Sequence, residues 1–329
     1  MVHDRDVGRL DEDDVRNRAN PRGSRPRSKQ RPAHEDAADG MVVAVDRGRY
    51  TVLVAGAEVT TMRARELGRK GIAVGDRVSV VGDSSGAPDT LARIVRIAER
   101  TTVLRRTADD DDPLERVIVA NADQMVIVTS LADPEPSFGL IDRCLVAALS
   151  AGMEPVLCLT KADLASPHDT LARYETLSVP ALVTRRGAPL DEVRERLSGQ
   201  ISVLVGHSGV GKSTLINALV PGALRATGVV SAIGKGRHTS SSAIAFALPD
   251  DTGWVIDTPG LRSFGLAHVT PADLLWAFPD LEDGVTQCPP SCEHLATSEE
   301  CRLDQWVAAG NSTEQRLAAF RRLLASRLE

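Results

Sequence analysis

The sequence predicts a multidomain α/β protein with three folded parts. Short apolar or alternating runs, separated by Gly and Asp turns, predict a small all-β module over residues 40–106. Strand-like runs that alternate with helical periodicity predict a second domain, built on a mostly parallel sheet, over residues 107–267. A cysteine cluster followed by an amphipathic tail predicts a metal-binding helical domain over residues 268–329.

The all-β module has strand-like runs at residues 41–45, 50–54, 77–81 and 92–97. About five strands in this length suit a closed barrel of the oligonucleotide-binding (OB) type. Tyr50 is its only interspersed aromatic residue, so base stacking is not indicated, and any RNA contact would use basic side chains on phosphates. The alternative is a barrel that contacts protein only. The candidate basic residues are Arg63, Arg65, Arg69 and Lys70.

Composition and charge favour a cytoplasmic protein with no membrane or DNA partner. Hydrophobic residues make up 42% of the 329 positions, but no run approaches the roughly 18 apolar residues of a membrane span. The charged amino terminus lacks the apolar region of a signal peptide. A net charge of −6 argues against broad nonspecific affinity for nucleic acid.

Residues 1–39 predict a disordered basic arm. Seven basic residues and no acid lie between Arg16 and Arg31, in a stretch rich in Pro, Ser and Asn. Such an arm can pair with RNA phosphates and become ordered on binding. The alternative is a solubilising tail.

Residues 206–213 read GHSGVGKS, a complete phosphate-loop pattern. An apolar strand-like run precedes it and a helix-like run follows, which is the context that the pattern requires. Lys212 would reach the β- and γ-phosphates, and the Ser213 hydroxyl would ligate Mg²⁺. A glycine-rich turn that binds nothing is the alternative. The predicted nucleotide-binding residues here are Gly206, His207, Ser208, Gly209, Val210, Gly211, Lys212, Ser213 and Thr214.

A second motif, Thr160-Lys161-Ala162-Asp163, follows an apolar run and so lies at the carboxyl end of a predicted parallel strand. The Asp163 carboxylate only accepts hydrogen bonds, so it can pair with guanine N1–H and the exocyclic amine but finds no such donors on adenine. The Lys161 stem can cover the base plane. The alternative is a solvated loop. In ordinary GTPases the phosphate loop comes first, whereas here this tetrad does.

A third motif, WVIDTPG at residues 254–260, combines a short apolar strand with a Pro-Gly turn. Asp257 would hold Mg²⁺ or its water, and the Gly260 N–H would meet the γ-phosphate. Taken alone, the motif is equally consistent with a plain turn.

These motifs resemble the circularly permuted GTPases and, within them, the RsgA family of ribosome small subunit-dependent GTPases. VANADQMVIV (119–128), GKGRHTSS (234–241) and DTPGLRSFGL (257–266) strengthen the resemblance, which covers about residues 40–324. It implies that the second domain is a circularly permuted P-loop GTPase domain. It also implies an OB-like barrel before that domain and a zinc-binding helical domain after it.

The resemblance implies two further roles. Thr239 would close over Mg²⁺ and the γ-phosphate, and His238 would orient the attacking water, since Leu261 stands where other GTPases carry glutamine. An imidazole can accept a hydrogen bond from water and titrates near neutrality, although a lone histidine in a polar loop is often merely solvated. The predicted catalytic residues are His238, Lys212 and Thr239, and the predicted Mg²⁺ ligands are Ser213, Thr239 and Asp257.

The five cysteines divide into two groups. Cys144 and Cys158 fall on a helical apolar face and in a strand, so we expect them in the core. The others join a histidine in the pattern C-x3-C-x-H-x6-C, which matches a closed tetrahedral Zn²⁺ site. A reducing cytosol disfavours disulfides, which remain the alternative together with an unliganded cluster. The predicted zinc ligands are Cys288, Cys292, His294 and Cys301.

The tail from Thr313 predicts a packed amphipathic helix with a solvated basic rim, and direct rRNA contact is the alternative. Its apolar stripe is Leu317, Phe320, Leu324 and Leu328, and its basic residues are Arg316, Arg321, Arg322 and Arg327. We expect Trp276 and Trp306 to be core anchors.

The resemblance implies a monomeric GTPase that binds the small (30S) ribosomal subunit and its 16S rRNA. It would couple GTP hydrolysis to late maturation of that particle and to its own release. One alternative is an RNA-binding or scaffold protein that holds GTP as a fixed structural cofactor. Another, an ATPase or small-molecule kinase, is disfavoured by Asp163.

Overall fold

The computed structural model describes residues 34–46, 48–68, 71–107, 115–223, 243–258, 266 and 269–327. Several predicted features lie outside these residues. They are the arm as far as residue 33, and the residues Arg69, Lys70, His238, Thr239, Gly260, Leu261 and Leu328.

A closed five-stranded barrel opens the described chain. Its strands are β1 (Ala38–Asp46), β2 (Arg49–Val54), β3 (Ala57–Arg63), β4 (Arg77–Val81) and β5 (Ala92–Ile97). Strand β1 pairs antiparallel with both β2 and β4, while β5 pairs with β3 and β4, so the sheet closes on itself. Val42, Val52 and Ile94 are fully buried inside it. The predicted barrel is confirmed.

An antiparallel hairpin, β6 (Val103–Thr107) and β7 (Glu115–Ala120), leads from the barrel to the central sheet. The strands of this sheet are β8 (Gln124–Ser130), β9 (Glu154–Thr160), β10 (Ala181–Val183), β11 (Ile201–Val205), β12 (Ile244–Ala247) and β13 (Trp254–Asp257). Their order is β10-β9-β8-β11-β13-β12. Every pair is parallel except β12 with β13, which confirms a mostly parallel sheet.

Helices cover both faces of this sheet, because its strands are apolar on both sides. Met125 and Ile127 of β8 face one core, whereas Val126 and Val128 face the other. The helices that the structure describes before β12 are α1 (Phe138–Ser150), α2 (His168–Tyr174), α3 (Asp191–Leu197) and α4 (Lys212–Leu219). Cys144 and Cys158 are buried, as predicted. None of the described helices is long and apolar enough to cross a membrane.

Four further helices follow the sheet: α5 (Ala272–Leu275), α6 (Pro279–Val285), α7 (Leu303–Ala308) and α8 (Glu314–Ser326). Thr313 caps α8 by accepting a hydrogen bond from the Arg316 N–H. Leu317, Phe320 and Leu324 are buried, so the predicted apolar stripe is correct over its described part.

The predicted solvated basic rim of α8 is wrong. All four arginines are paired, and only 10–27% of each side chain is exposed. Their partners lie on other helices and loops, which the periodicity of α8 alone cannot reveal. The pairs are Arg316 with Asp280, Arg321 with Asp304, Arg322 with Asp142, and Arg327 with the Val269 carbonyl and Glu293.

The two tryptophans differ from each other. Trp306 packs against Gly284 and donates its indole N–H to the Asp280 carbonyl, as expected of a core anchor. Trp276 is 54% exposed, so its prediction as a core anchor is wrong. Its indole N–H donates to the Leu149 carbonyl at the end of α1, which fixes the ring at the surface.

Candidate functional site

The phosphate-loop motif forms the turn between β11 and α4. A Cβ atom at Gly206 would lie 2.2 Å from the Val128 carbonyl oxygen, so no other residue fits there. Gly209 and Gly211 have φ values of 86° and 97°, in the left-handed region that glycine tolerates. The N-terminus of α4 follows Gly211 directly, an arrangement that suits phosphate binding. Ser208 is exposed in this turn, and Ser213 and Thr214 are exposed in the first turn of α4.

The predicted guanine-binding tetrad, residues 160–163, lies against this loop. Thr160 ends β9, and its hydroxyl donates a hydrogen bond to the Val210 carbonyl at 2.5 Å. Both residues are buried, although they lie 50 positions apart in the sequence. Thr160 Oγ1 would also lie 3.6 Å from a Cβ atom added at Gly211, so the two backbones are close together. The two motifs therefore form one site.

The rest of the tetrad is placed by backbone contacts. The Lys161 ammonium donates to the Asp133 carbonyl, in the loop that follows β8. The Ala162 N–H donates to the carbonyl of Thr184, the residue that follows β10, at 3.1 Å, which ties the tetrad to the end of that strand. Asp163 is exposed, so its carboxylate is accessible to the nucleobase of a bound nucleotide.

Strand β13 delivers Asp257 to the same site. In the register of β11 and β13, Asp257 lies beside Leu204, close to the start of the phosphate loop. The Lys212 ammonium donates to Asp257 Oδ1 at 2.5 Å and to the Thr258 carbonyl at 2.9 Å. The Thr258 hydroxyl in turn donates to the Leu204 carbonyl at 2.7 Å. The predicted catalytic lysine and a predicted Mg²⁺ ligand are thus in direct contact.

The sequence did not single out Thr258 or Asp133 as site residues. Thr258 stands inside the DTPG motif and could have been proposed from it. Asp133 contributes through its backbone carbonyl, which leaves no residue-type signal.

The four predicted zinc ligands also come together. Their ligand atoms all lie within 4.8 Å of one another, and Cys301 Sγ lies 3.8 Å from His294 Nδ1. A tetrahedral zinc ion with bonds of about 2.0–2.3 Å places its ligand atoms about 3.4–3.8 Å apart. Cys288 and Cys292 flank a turn closed by the hydrogen bond from the Cys292 N–H to the Pro289 carbonyl. Three thiols and one imidazole at this spacing fit a structural zinc ion.

The surroundings of these ligands matter for their protonation. Burial raises the pKa of the Cys288 thiol to about 11, while the Arg302 N–H, which donates to its sulfur at 3.2 Å, acts in the opposite direction. Burial, and secondly the nearby Arg321 guanidinium, lower the pKa of His294. A neutral imidazole is the form that ligates a metal ion.

A mostly parallel sheet, with the phosphate-loop motif after β11 and the TKAD motif earlier in the chain, is the arrangement of a circularly permuted P-loop GTPase. The family model described as RsgA GTPase matches residues 97–267. The chain therefore belongs to the RsgA GTPase family.

Relatives and solved structures agree with this assignment. "Small ribosomal subunit biogenesis GTPase RsgA" of Pseudomonas aeruginosa is 41% identical over 223 residues, which is 65% of this chain and 65% of that protein. The protein of the same name from Pseudomonas syringae pv. tomato is 38% identical over 265 residues, or 78% of this chain and 75% of that one. The match thus spans slightly less than two thirds of the P. aeruginosa relative.

Two solved structures share the fold. The crystal structure of YjeQ from Thermotoga maritima has a TM-score of 0.65 and 28% identity, and the match covers 89% of this chain and 99% of that chain. The structure of YloQ, a circularly permuted GTPase, has a TM-score of 0.61 and 24% identity. The match covers 90% of this chain and 96% of that chain. The YloQ likeness is one of fold.

Proposed function

We propose that this protein hydrolyses GTP to GDP and phosphate on the small ribosomal subunit, and that hydrolysis is coupled to late maturation of that particle and to release of the protein. Family membership and the names of the relatives support this proposal. The observation that carries it is the Thr160–Val210 hydrogen bond, because it joins the guanine-reading tetrad to the phosphate loop. A site of this composition reads base and phosphates together.

The residues of the proposed site bind different parts of the nucleotide. Asp163 pairs with guanine N1–H and its amine, and the Lys161 stem covers the ring. The loop Gly206–Thr214 encloses the phosphates, and Lys212 exchanges its contact with Asp257 for phosphate oxygens as GTP binds. Gly260 donates its N–H to the γ-phosphate, an assignment that rests on the DTPG motif.

The donor set also suits Mg²⁺, which prefers carboxylate, hydroxyl and phosphate oxygens. The residues that would hold it are Ser213, Thr239 and Asp257, and the ion would neutralise charge on the phosphates. His238 accepts a hydrogen bond from the attacking water and orients it. The assignments of Thr239 and His238 rest on the GRHTSS motif.

The Cys288, Cys292, His294 and Cys301 cluster holds one structural zinc ion in this proposal, because its ligand set and spacing fit that metal. Zinc would cross-link the segment that carries Cys288, Cys292 and His294 to Cys301. Metal analysis after exhaustive dialysis should give about one zinc per chain. A chain without zinc would overturn the assignment.

We further propose that the protein works as a cytoplasmic monomer with 16S rRNA as its nucleic-acid partner. The proposed domain bounds are 1–39 for the arm, 40–106 for the barrel, 107–267 for the GTPase domain and 268–329 for the zinc domain. Arg63 and Arg65 of the barrel and the basic arm are the candidate contacts with rRNA phosphates.

The test is multiple-turnover hydrolysis of GTP and ATP, with and without purified 30S subunits. We expect turnover of GTP only, and faster turnover when subunits are present. His238→Ala should bind GTP as the wild type does but lose most of its turnover. Stoichiometric GTP binding without turnover would favour the scaffold alternative, and equal use of ATP would contradict the role of Asp163.

A further inference from the structure

Helix α8 lies between the cysteine cluster and the GTPase core. Phe320, Leu323 and Leu324 are fully buried in the core that also contains α1 and Cys301. On the α1 side, Arg322 Nε donates to Asp142 Oδ2 at 3.1 Å. The neighbouring residue, Arg321, points instead to the cysteine cluster. Consecutive residues of one helix thus contact two separate parts of the protein.

Arg321 makes four contacts on the cluster side. Its Nε donates to the His294 carbonyl at 3.3 Å, and its Nη2 lies 3.7 Å from Cys301 Sγ. Nη1 and Nη2 donate to the two carboxylate oxygens of Asp304 at 2.8 and 2.7 Å. Asp304 belongs to α7, which begins at Leu303, two residues after Cys301. A bidentate partner of this kind fixes the plane of the guanidinium group.

The chemistry of the ligand set gives this position a specific consequence. Three thiolates and a neutral imidazole around Zn²⁺ carry one net negative charge, which the partly buried site must balance. Arg321 places a positive charge beside Cys301, while its carboxylate partner among the described residues, Asp304, lies mostly in solvent. Partners of metal ligands that orient and neutralise them contribute about 10–100-fold to metal affinity.

We propose that Arg321 is a positioning residue of the metal site, which orients Cys301 and the His294 loop and balances the thiolate charge. Because Arg321 belongs to α8, metal binding also stabilises the packing of α8 against α1. The inference rests on the proposed assignment of the cluster as a zinc site.

The experiment compares zinc affinity in four proteins: wild type, Arg321→Gln, Arg321→Lys and Arg316→Gln. Zinc dissociation constants are measured by competition with a chromophoric chelator. Arg316 is the matched control, since it lies on the same helix, is similarly buried and makes a bidentate pair with Asp280, but contacts none of the four ligands. Amide hydrogen exchange of α8 and α1, with and without zinc, provides a second readout.

We expect Arg321→Gln to weaken zinc binding about 10–100-fold. Arg321→Lys keeps the charge and should recover part of that loss, whereas Arg316→Gln should bind zinc as the wild type does. In the wild type, zinc removal should accelerate exchange in α8 and α1. In Arg321→Gln, exchange should already be faster with zinc bound, so that removal changes it less.

Two outcomes overturn the inference in different ways. If the wild type holds zinc and Arg321→Gln holds it equally well, the role of Arg321 is wrong while the zinc assignment stands. If the wild type holds no zinc, both fail together. Should Arg321→Gln not fold, Asp304→Asn takes its place, because Asp304 is exposed and its loss frees the guanidinium. An unchanged zinc affinity in Asp304→Asn and Arg321→Lys then overturns the inference.

Discussion

A Thr160→Val substitution tests whether the predicted guanine-binding tetrad, residues 160–163, holds the phosphate loop in position. Valine keeps the shape of the side chain and removes the hydroxyl. In the wild type that hydroxyl donates to the Val210 carbonyl at 2.5 Å, with both residues buried. The substitution leaves this carbonyl of the loop without its side-chain donor.

The expected magnitude follows from the burial of this contact. A buried carbonyl without its partner costs about 1–3 kcal/mol, which should appear as a lower free energy of unfolding. In the variant, nucleotide binding must also order a looser loop. The free-energy cost of this ordering makes the net binding free energy less favourable. Since about 1.4 kcal/mol corresponds to a factor of ten, we expect GDP to bind roughly three- to tenfold more weakly.

Titration with a fluorescent GDP analogue gives the Kd, and denaturant unfolding gives the stability. Thr61→Val is the matched control, because the fully buried Thr61 hydroxyl donates to the Tyr50 carbonyl at 3.0 Å inside the barrel. This control should lose comparable stability and keep the GDP affinity of the wild type. If both variants bind GDP equally well, the tetrad does not position the loop.

Two further substitutions test the base specificity and an ion pair of the C-terminal helices. Asp163→Asn should move the preference from guanine to xanthine nucleotides, because an amide donor matches the additional carbonyl of xanthine, and unchanged preference in competition binding would contradict the tetrad assignment. Arg316→Gln should lower the free energy of unfolding at neutral pH by about 1.5–3 kcal/mol, since a charged hydrogen-bonded pair with Asp280 is lost. Burial alone would raise the pKa of Asp280, but hydrogen bonds from Arg316 and Ser312 outweigh it and lower that pKa. A lowered folded pKa stabilises the protein above the unfolded pKa, so the deficit should shrink as the pH falls below about 4. A deficit that does not change with pH in denaturant unfolding would show that the pair is not its cause.

Local patterns in the sequence predicted the parts of the site that depend on local geometry. Gly206, Gly209 and Gly211 fix the loop through their own backbone, and the apolar run before them forms β11 as expected. The prediction of a mostly parallel sheet did not identify the one antiparallel pair, which β12 forms with β13. The few residues between these two strands are too short for a parallel crossover, which needs a dozen or more, so the sequence did contain that signal.

Contacts between distant parts of the chain were not predictable in the same way. The arginines of α8 look like a solvated rim in the helical pattern, because their partners Asp142, Asp280 and Asp304 lie on three other helices. Trp276 looks like a core residue by type, yet its ring lies at the surface because its indole N–H is held by the end of α1. Only the tertiary arrangement supplies these partners.

The permuted order of the motifs has a mechanical consequence in this fold. The chain enters the central sheet at β8 and last leaves it after β13, which carries Asp257 to the nucleotide site. It then returns as α8 to pack on α1, the helix that follows β8.

The central sheet is also connected to the barrel, because β12 pairs with β1 through Ile244 and Ala44. We therefore expect a displacement of β12 or β13 at the predicted nucleotide site to be transmitted out of the GTPase core by two routes. One route is the strand pairing into the barrel, and the other is the covalent connection to the helices that surround the cysteine cluster.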